Sequence, residues 1–543
     1  MVPIKRLINI SIQLLIDNRN YLWFLLATYL AGNYHLFQTI HQSFADANVI
    51  FQVWLYVFFF LLHVIFISFI NLFVPTKYTV FLVVISSSVF NFFLFKYGTI
   101  FDVGMWRNIF QTNMNEASDL LNLFTISSLL IFFVLIIFVI HRFNFFPSKS
   151  YLSVLTSRLY FIALSLVFVI SASWLLSKEM SDFLREHKQV RYLNNPGYGL
   201  FNFMKYTHES LFVNRTFDFG DYFSYSDESD EVDGPNHREE LIVLVVGETA
   251  RYDRFGINGY ERDTTPNLKK VKNLISYSNF TACGTSTAIS VPCMFALQDS
   301  KEFKVSKSQY KANVLDIMPP EDVNIHWFDN NSDSKHVADR VSYKSFKSSE
   351  NNTVCDDECR DVGMISHIGG VLDPKVDNLI ILHQMGSHGP AYHKRYPKEF
   401  EKFTPACNND DITKCSNEEI NNAYDNSILY TDYFLGKLIK ELEKYIDTYE
   451  VTLLYVSDHG ESLGEKGVYL HGLPKAIAPK EQTHVPVFLW APEGSSDVSY
   501  EETLKLKDNP YTHIDISDTL LRLTEVISNA YIDGEHSMIT LGN

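Results

Sequence analysis

The first third of the chain is dominated by long apolar stretches separated by short polar segments. Each stretch is long enough to cross a bilayer, which takes about 20 residues. We place five spans, near 21–39, 49–74, 78–96, 121–141 and 157–177. A buried core helix would explain any one of them but explains five in succession poorly. Residues 1–177 are therefore predicted to form a transmembrane domain of five helices.

Basic residues predict how these spans are oriented. Lys5, Arg6 and Arg19 precede the first span, whereas the loop at 40–48 contains neither Lys nor Arg. Because Lys and Arg are enriched on the cytoplasmic side, the amino terminus is predicted to be cytoplasmic. An odd number of spans then places residues 178–543 on the opposite side of the membrane. No small-residue cleavage site follows the first span, so we expect it to be a retained anchor.

Beyond the spans, the chain changes character. Residues 178–240 are predicted to be a connector at the membrane surface, and the acidic run at 227–231 is typical of a solvated loop. The 543 residues carry a formal net charge of −17. Because contacts to phosphate backbones need a basic surface, nucleic acid is excluded as a partner.

After residue 240, short apolar runs alternate with amphipathic segments such as 423–446, a pattern typical of an α/β sandwich. The apolar runs lie at 241–246, 379–382, 451–456 and 485–490. Their continuous apolar character indicates strands that are covered on both faces of a sheet.

The first three of these runs are each followed by residues that can bind a metal. Glu248 follows the first, His388 lies beyond the second, and Asp458 with His459 follows the third. Ligands bind at the carboxyl ends of strands in α/β sheets. Carboxylate and imidazole groups together suit zinc. The sequence therefore predicts one shared metal site at this edge of the sheet.

A segment rich in hydroxyl groups, at 283–293, offers a candidate nucleophile. Thr285, Ser286 and Thr287 precede a possible helix around Met294. Unpaired N–H groups at a helix amino terminus favour a phosphate. The hydroxyls could cap this helix, or one of them could act as a nucleophile. Spacing alone does not separate these two interpretations.

All six cysteines fall in the second half of the chain, as three short-range pairs. They are Cys283 with Cys293, Cys355 with Cys359, and Cys407 with Cys415. Six cysteines allow 15 pairings, and this grouping favours local disulfides in an oxidising compartment. The alternative is a thiolate zinc site at Cys355 and Cys359, but such sites usually need two close Cys/His pairs.

Several motifs resemble those of a known family. They lie at 247–251, 283–288, 290–295, 386–390 and 457–464. In this order they resemble the membrane phosphoethanolamine transferases, which include chromosomal lipid A enzymes and the mobile colistin-resistance group. The resemblance covers essentially the whole chain. It implies a periplasmic catalytic domain over 241–543 with an alkaline-phosphatase-like (sulfatase-like) sheet.

The resemblance also implies roles for individual residues. Thr287 matches the nucleophile that becomes modified with phosphoethanolamine, and its oxygen would bind zinc together with Glu248, Asp458 and His459. The matched substrate-binding positions are Asn331, Lys335, His388 and His471 in the pocket and Asn108 and Glu116 at the lipid headgroup. A second zinc could bind near His388 and His471.

The implied reaction moves phosphoethanolamine from phosphatidylethanolamine to a phosphate of lipid A through a phosphothreonine. It would lower the negative charge of the envelope and confer polymyxin and colistin resistance. We expect a monomer in the Gram-negative inner membrane, with the bilayer, the donor lipid and lipid A as partners and zinc as cofactor.

Other functions remain as alternatives. Phosphoethanolamine or phosphoglycerol could be transferred to another envelope acceptor, such as core sugar or a glycan. A sulfatase is disfavoured because its maturation signature is absent around 283–293. A non-catalytic, membrane-anchored binding protein would not need Thr287 together with all three ligands. A transporter is disfavoured because the spans contain few ionisable residues.

Overall fold

The computed structural model describes residues 13–43, 49–112, 126–127, 130, 133–134, 150–213, 215–226, 238–297, 303–530 and 537–542. The chain divides into two compact units. One comprises Met1–Trp106 with Leu121–Thr207, and the other comprises Arg107–Leu120 with His208–Asn543.

The first 212 residues are helical wherever the structure describes a regular element. The helices are α1 (Arg19–Gly32), α2 (Tyr34–Ser43), α3 (Val49–Phe73), α4 (Thr76–Tyr97), α5 (Val103–Gln111), α6 (Tyr151–Leu175), α7 (Ser177–Glu186), α8 (Lys188–Tyr192) and α9 (Gly197–Phe212). Within the described ranges, three of them are long and apolar enough to cross a membrane: α3, α4 and α6. The predicted span at 121–141 lies largely outside the described residues, so the five-helix count stays a prediction.

The first predicted span, at 21–39, is divided between two helices. Helix α1 ends at Gly32 and α2 begins at Tyr34, with Asn33 between them. Asn33 is buried, and its amide group donates to the carbonyl of Asn195 at 2.8 Å and accepts from the Asn195 N–H at 2.9 Å. A polar group that interrupts the apolar pattern is thus satisfied by a reciprocal bond to a distant segment.

A buried arginine links three helical segments in the same unit. Arg158 of α6 donates to the Asn71 side chain at 2.7 Å and to the Asn18 side chain at 3.2 Å. Its guanidinium lies 3.4 Å from the ring centroid of Tyr21. Because a charge is costly away from water, these partners hold Arg158 where neutral oxygens and an aromatic face solvate it.

The second unit is built on a seven-stranded sheet. Its strands are β2 (Glu240–Gly247), β3 (Leu274–Tyr277), β5 (Val323–Asp329), β6 (Ser342–Ser345), β7 (Asp377–His383), β8 (Glu450–Ser457) and β11 (Val487–Trp490). Across the sheet they follow the order β3-β11-β8-β2-β7-β5-β6. Strands β8, β2, β7, β5 and β6 are mutually parallel, and β11 is antiparallel to both β8 and β3. The predicted α/β pattern is confirmed. The parallel strands direct their carboxyl ends to one edge.

The remaining strands form three short pairs. They are β1 (Ser224–Ser226) with β13 (Val526–Ser528), β4 (Phe280–Thr281) with β12 (Tyr511–Thr512), and β9 (Ser462–Leu463) with β10 (Tyr469–Leu470). The helices of this half are α10 (Thr287–Met294), α11 (Val305–Ser308), α12 (Val314–Ile317), α13 (Asn417–Leu442), α14 (Tyr500–Leu504) and α15 (Ile514–Leu523).

The predicted amphipathic segment at 423–446 is helix α13, which starts six residues earlier than its apolar pattern indicated. Ser416 caps it in a reciprocal box with Glu419, which explains the early start. The buried carboxylate of Asp432 accepts from the N–H groups of Asn267 and Leu268 at 2.9 and 2.8 Å. This helix therefore anchors the segment that follows β2.

The three predicted disulfides are confirmed. Cys283 is bonded to Cys293, Cys355 to Cys359, and Cys407 to Cys415. A thiolate zinc site is therefore excluded, because all six sulfurs are used in these bonds. Each bond closes a loop of few residues, so it stabilises local geometry more than the global fold.

Acidic groups cluster at the amino edge of the sheet, opposite the carboxyl ends of its strands. Asp377 is buried there and accepts from the Glu240 N–H at 2.8 Å. Burial, with the nearby carboxylates of Glu239 and Glu525, raises the pKa of Asp377 to about 7. An unfolded chain releases the same proton near pH 4. The folded protein therefore binds the extra proton between these values, and its stability falls as pH rises through this window.

We expect Asp377→Asn to stabilise the protein as pH rises, because the amide keeps the acceptor for Glu240 and has no proton to lose. The gain over the wild type should be on the order of 2 kcal/mol larger at pH 8 than at pH 5. Thermal unfolding of the full chain in detergent at both pH values measures it. Asp373→Asn, at an exposed position in the preceding loop, is the control and should show no such trend. A gain in the free energy of unfolding that is equal at both pH values would contradict the raised pKa of Asp377.

Candidate active site

Two acidic side chains meet at the carboxyl edge because their strands are parallel and in register. Gly247 of β2 is opposite Ser457 of β8, so the next residues, Glu248 and Asp458, leave the sheet side by side. The Asp458 N–H donates to the Gly247 carbonyl at 3.0 Å and extends the ladder by one bond. The sequence pattern alone placed these residues at one edge, and the register makes them neighbours.

Atoms that could bind a metal form a cluster where Glu248, Asp458 and His459 meet, and the side chains of these three residues are fully buried. His459 Nε2 lies 3.5 Å from Glu248 Oε1 and 3.3 Å from Asp458 Oδ2. Ligand atoms about 2.0–2.2 Å from a tetrahedral zinc lie roughly 3.3–3.6 Å from one another. Asp458 Oδ2 has no hydrogen-bond partner among the described residues. The spacing and the orphaned oxygen both fit a bound zinc.

The charges of the cluster lead to the same conclusion. Burial, and after it the adjacent Glu248 carboxylate, raise the pKa of Asp458 to about 6. Burial would also raise the pKa of Glu248, but neighbouring imidazoles, that of His459 foremost, outweigh it and lower this pKa to about 2. Two carboxylates in a buried site repel each other unless a cation lies between them. A divalent metal would supply that charge.

Thr287 contacts this cluster directly. Its Oγ1 donates to Glu248 Oε2 at 3.2 Å and lies 3.5 Å from His459 Nε2. Helix α10 begins at Thr287, seven residues before the Met294 position where the sequence allowed a helix to start. The hydroxyl therefore lies at a helix amino terminus, where free N–H groups favour an incoming phosphate.

The three hydroxyl side chains at 285–287 make different contacts in the structure. Ser286 is the residue before the helix, and its side chain forms no cap there. Thr285 Oγ1 donates to the carbonyl of Leu473 at 2.7 Å. Thr287 faces Glu248 and His459 instead of the helix backbone. The arrangement therefore favours the nucleophile interpretation.

A strained turn holds Glu248. Thr249 adopts a left-handed backbone conformation with φ of 58°, which is unfavourable for a β-branched residue. Its hydroxyl donates to Glu248 Oε1, its N–H donates to Asp458 Oδ1 at 3.1 Å, and its carbonyl accepts from Tyr424 Oη at 2.7 Å. Tyr424 lies on α13, so the long helix stabilises the turn that carries a metal ligand.

His471 and His388 line the same site, as predicted. The ring centroid of His471 lies 4.3 Å from that of His459 and 5.5 Å from that of His388. The fully buried carboxylate of Glu461 accepts from His471 Nδ1 at 2.9 Å and from Tyr392 Oη at 2.9 Å. Burial would lower the pKa of His471, but the Glu461 carboxylate outweighs it and raises this pKa to about 9. His471 is therefore a cation held by Glu461 beside the cluster.

His388 has the opposite character. It lies in the loop after β7, and burial lowers its pKa to about 3, so the imidazole is neutral. Gly386, which precedes it, approaches the backbone of Glu248 so closely that an added Cβ would lie 2.7 Å from the Glu248 carbonyl oxygen. Asp361 fixes this loop by accepting from the N–H groups of Met385 and Gly386 at 2.9 and 3.1 Å.

The other predicted pocket residues follow β5. The Asn331 amide donates to Glu248 Oε2 and to the Gln384 carbonyl, both at 2.7 Å, so it contacts a member of the cluster. Lys335 is buried, with φ of 50°, and its ammonium lies 3.2 Å from Asp333 Oδ1. Asn331 is thus hydrogen-bonded to the cluster, and Lys335 forms an ion pair with Asp333.

The structure describes one of the two residues that were predicted to contact the lipid headgroup. Asn108 lies on α5, and Glu116 lies outside the described residues. Their roles stay predictions.

Some residues that shape the site carried no separate signal in the sequence. Glu461 belongs to the motif at 457–464, but its bond to His471 requires two segments to meet in space. The same holds for Thr249, for Asp361, and for the buried pair of Asp329 Oδ2 and His383 Nδ1 at 2.9 Å. These contacts form only in the folded chain, and spacing along the sequence does not reveal them.

Comparisons with known proteins agree with this geometry. Residues 240–526 match the sulfatase family, and residues 58–211 match the family described as phosphoethanolamine transferase EptA/EptB. The chain is 40% identical over 471 residues to the phosphatidylethanolamine transferase Mcr-1 of Escherichia coli, covering 83% of this chain and 84% of that protein. It is 33% identical to the phosphoethanolamine transferase EptA of Escherichia coli K12, covering 81% of each chain.

A solved structure is similar over nearly the whole length. The integral membrane protein lipooligosaccharide phosphoethanolamine transferase A of Neisseria meningitidis superposes with a TM-score of 0.82 at 29% identity. The match covers 95% of this chain and 97% of that one. With the helical first half, the sulfatase-like sheet and the buried cluster at its carboxyl edge, these matches lead to one conclusion: the chain belongs to the membrane phosphoethanolamine transferase family of the alkaline phosphatase/sulfatase superfamily.

Proposed function

We propose that this protein transfers phosphoethanolamine from phosphatidylethanolamine to a phosphate of lipid A, with Thr287 as the covalent carrier. The observation that carries the proposal is the contact of Thr287 Oγ1 with both Glu248 and His459 at the start of α10. A hydroxyl is a weak nucleophile unless a metal or base activates it. A carboxylate and an imidazole that could bind a metal contact this one. The relatives named above support the assignment, because their names describe phosphatidylethanolamine or phosphoethanolamine transferases.

The proposed setting is the Gram-negative inner membrane. Five spans within residues 1–177 would anchor the chain with a cytoplasmic amino terminus, a connector would follow at 178–240, and a monomeric catalytic domain at 241–543 would lie in the periplasm. Three apolar helices of sufficient length support the anchor. The three disulfides support an oxidising compartment for the catalytic domain.

Glu248, Asp458, His459 and the Thr287 oxygen would hold one zinc. Bound there, zinc supplies Lewis acidity that lowers the pKa of the Thr287 hydroxyl and offsets negative charge on the reacting phosphoryl group. Asn331 keeps the Glu248 carboxylate in place through its 2.7 Å bond. A second zinc would bind near His388, which is neutral, and His471, which would have to release its proton to become a ligand.

In the first step, Thr287 Oγ1 attacks the phosphorus of phosphatidylethanolamine, the bond to the diacylglycerol oxygen breaks, and the proton released from Thr287 ends on that oxygen. The N–H groups at the start of α10 and the cationic His471 bind the phosphoryl oxygens as negative charge builds on them. Lys335 and Asn108 with Glu116 would contact the donor headgroup. Diacylglycerol leaves into the bilayer, and phosphoethanolamine stays on Thr287.

In the second step, a phosphate oxygen of lipid A attacks the phosphorus of the phosphothreonine, the bond from phosphorus to Thr287 Oγ1 breaks, and Thr287 takes up a proton to become a hydroxyl again. The acceptor gains a primary amine, so its net negative charge falls. Weaker binding of polymyxin and colistin, which are cationic, follows from the reduced attraction. Transfer to core sugar or to another envelope glycan is the competing proposal, and the acceptor is what the first experiment identifies.

Mass spectrometry of lipid A tests the reaction and its nucleophile together. In a Gram-negative host that expresses the wild-type chain, we expect a phosphoethanolamine adduct on lipid A. Thr287→Ala removes the attacking oxygen and should abolish the adduct, a loss of at least about 10³-fold. Thr287→Ser keeps an oxygen at the same position and should retain part of the activity.

The outcomes of this experiment are distinct. An adduct with Thr287→Ala would show that another group is the nucleophile. An adduct found only on core sugar would support the competing acceptor. Equal amounts of each protein in the membrane fraction are the control for folding.

Zinc content tests the metal site independently of the acceptor. Glu248→Ala and His459→Ala each remove one ligand, so we expect purified protein to lose zinc and activity together. Elemental analysis measures the zinc bound per chain, and a value near two in the wild type would support the second site. Glu441→Ala, which removes a carboxylate from the surface of α13, is the matched control. Full activity in zinc-free His459→Ala protein would contradict the site.

A further inference from the structure

The nucleophile and the metal ligands come from separate parts of the chain, and a single imidazole joins them. His513 is completely buried. Its Nδ1 accepts from the N–H of Cys283 at 3.1 Å, and its Nε2 lies 3.0 Å from the carbonyl oxygen of Ser457. Cys283 lies four residues before Thr287, and Ser457 lies directly before Asp458. The ring therefore connects the nucleophile segment to the strand end that carries two ligands.

The hydrogen-bond partners of His513 determine which ring nitrogen carries the hydrogen. The Cys283 N–H can only donate, so Nδ1 must be unprotonated, and the Ser457 carbonyl can only accept, so Nε2 must carry the hydrogen. A doubly protonated ring could not make the bond to Cys283. Burial lowers the pKa of His513 to about 3, which agrees with a permanently neutral ring. The connection thus has one defined tautomer.

The helix that follows His513 holds the other end of the same segment. Ser517 of α15 donates to the Met294 carbonyl, at the end of α10, at 3.0 Å. His513 and Ser517 therefore fix the two ends of residues 283–294, which include the whole nucleophile helix. The position of Thr287 depends on this attachment, because Cys283 and Met294 bound the short segment that carries it.

We propose that His513 is a positioning residue that sets the distance between Thr287 Oγ1 and the Asp458–His459 ligand pair. The inference rests on the proposed function, because it assigns the distance between these groups a role in the transfer from the donor lipid. His513 itself touches neither substrate nor metal. Its effect passes through the Cys283 N–H and the Ser457 carbonyl, and misplacement of a nucleophile by about 1 Å can cost 10²-fold in rate.

Three substitutions of His513 remove its two hydrogen bonds either together or one at a time. His513→Leu removes both. In His513→Asn the amide oxygen lies near the position of Nδ1 and can accept from Cys283, but the side chain is too short to reach Ser457. His513→Gln is long enough to donate to Ser457. His326→Leu, whose ring bonds to Asn324 on β5 at 3.0 Å, is the matched control for loss of an imidazole.

Two measurements on the full-length protein in lipid nanodiscs test the proposal. The first is the rate of diacylglycerol release from a fluorescent phosphatidylethanolamine, with zinc content determined for each variant. For His513→Leu we expect kcat per bound zinc to fall by roughly 10- to 100-fold, with KM within about twofold of the wild type. The second is hydrogen–deuterium exchange over 281–288 and 455–459, which does not require activity.

The exchange pattern distinguishes positioning from general stability. His513→Leu should exchange faster in both segments, His513→Asn mainly in 455–459, and His513→Gln mainly in 281–288, while the control changes neither. Exchange and kcat equal to the wild type in His513→Leu would overturn the proposal. If that variant does not fold, identical exchange patterns in the Asn and Gln variants would overturn it. An inactive wild type would overturn the proposed function, while the exchange data would still decide the role of His513.

Discussion

The site depends on keeping two carboxylates, Glu248 and Asp458, side by side in a dry interior. Parallel register forces them together, and burial removes the water that would screen them. An unpaired buried charge costs several kcal/mol in real proteins, so the surrounding chain supplies compensation. The Thr249 N–H and hydroxyl, the Asn331 amide and the His459 ring all face the pair. The strained turn, the loop after β5 and the position of α13 are consequences of this one demand.

Features that follow from local composition were predictable. The apolar runs gave the central strands, and the cysteines were close enough in sequence to indicate their partners. The residues that follow β2 and β8 indicated the candidate metal cluster, because parallel strands must end at a common edge. Bonds between distant segments were not predictable. Glu461 with His471, Asp361 with the loop before His388, and His513 with Cys283 each require the folded chain.

The membrane half shows a related limit. Asn33 lies within the first predicted span and Arg158 at the start of the fifth, and a hydropathy pattern scores each such polar residue as a cost. In the structure Asn33 bonds reciprocally to Asn195, and Arg158 joins Asn18, Asn71 and Tyr21. A satisfied polar group links helices that apolar packing alone would orient weakly. The pattern reports the cost of burial but not the partner that offsets it.

The central position of β2 has a consequence for how the protein is made. This strand is buried over all eight residues, and it emerges before either of its neighbours. The Glu240 N–H finds its partner 137 residues later, and the Thr249 N–H finds Asp458 after 209 residues. Contacts so distant in sequence form slowly, and unpaired apolar strands aggregate. This half of the chain must therefore stay soluble while β2 waits for its later neighbours, β7 and β8, to be made.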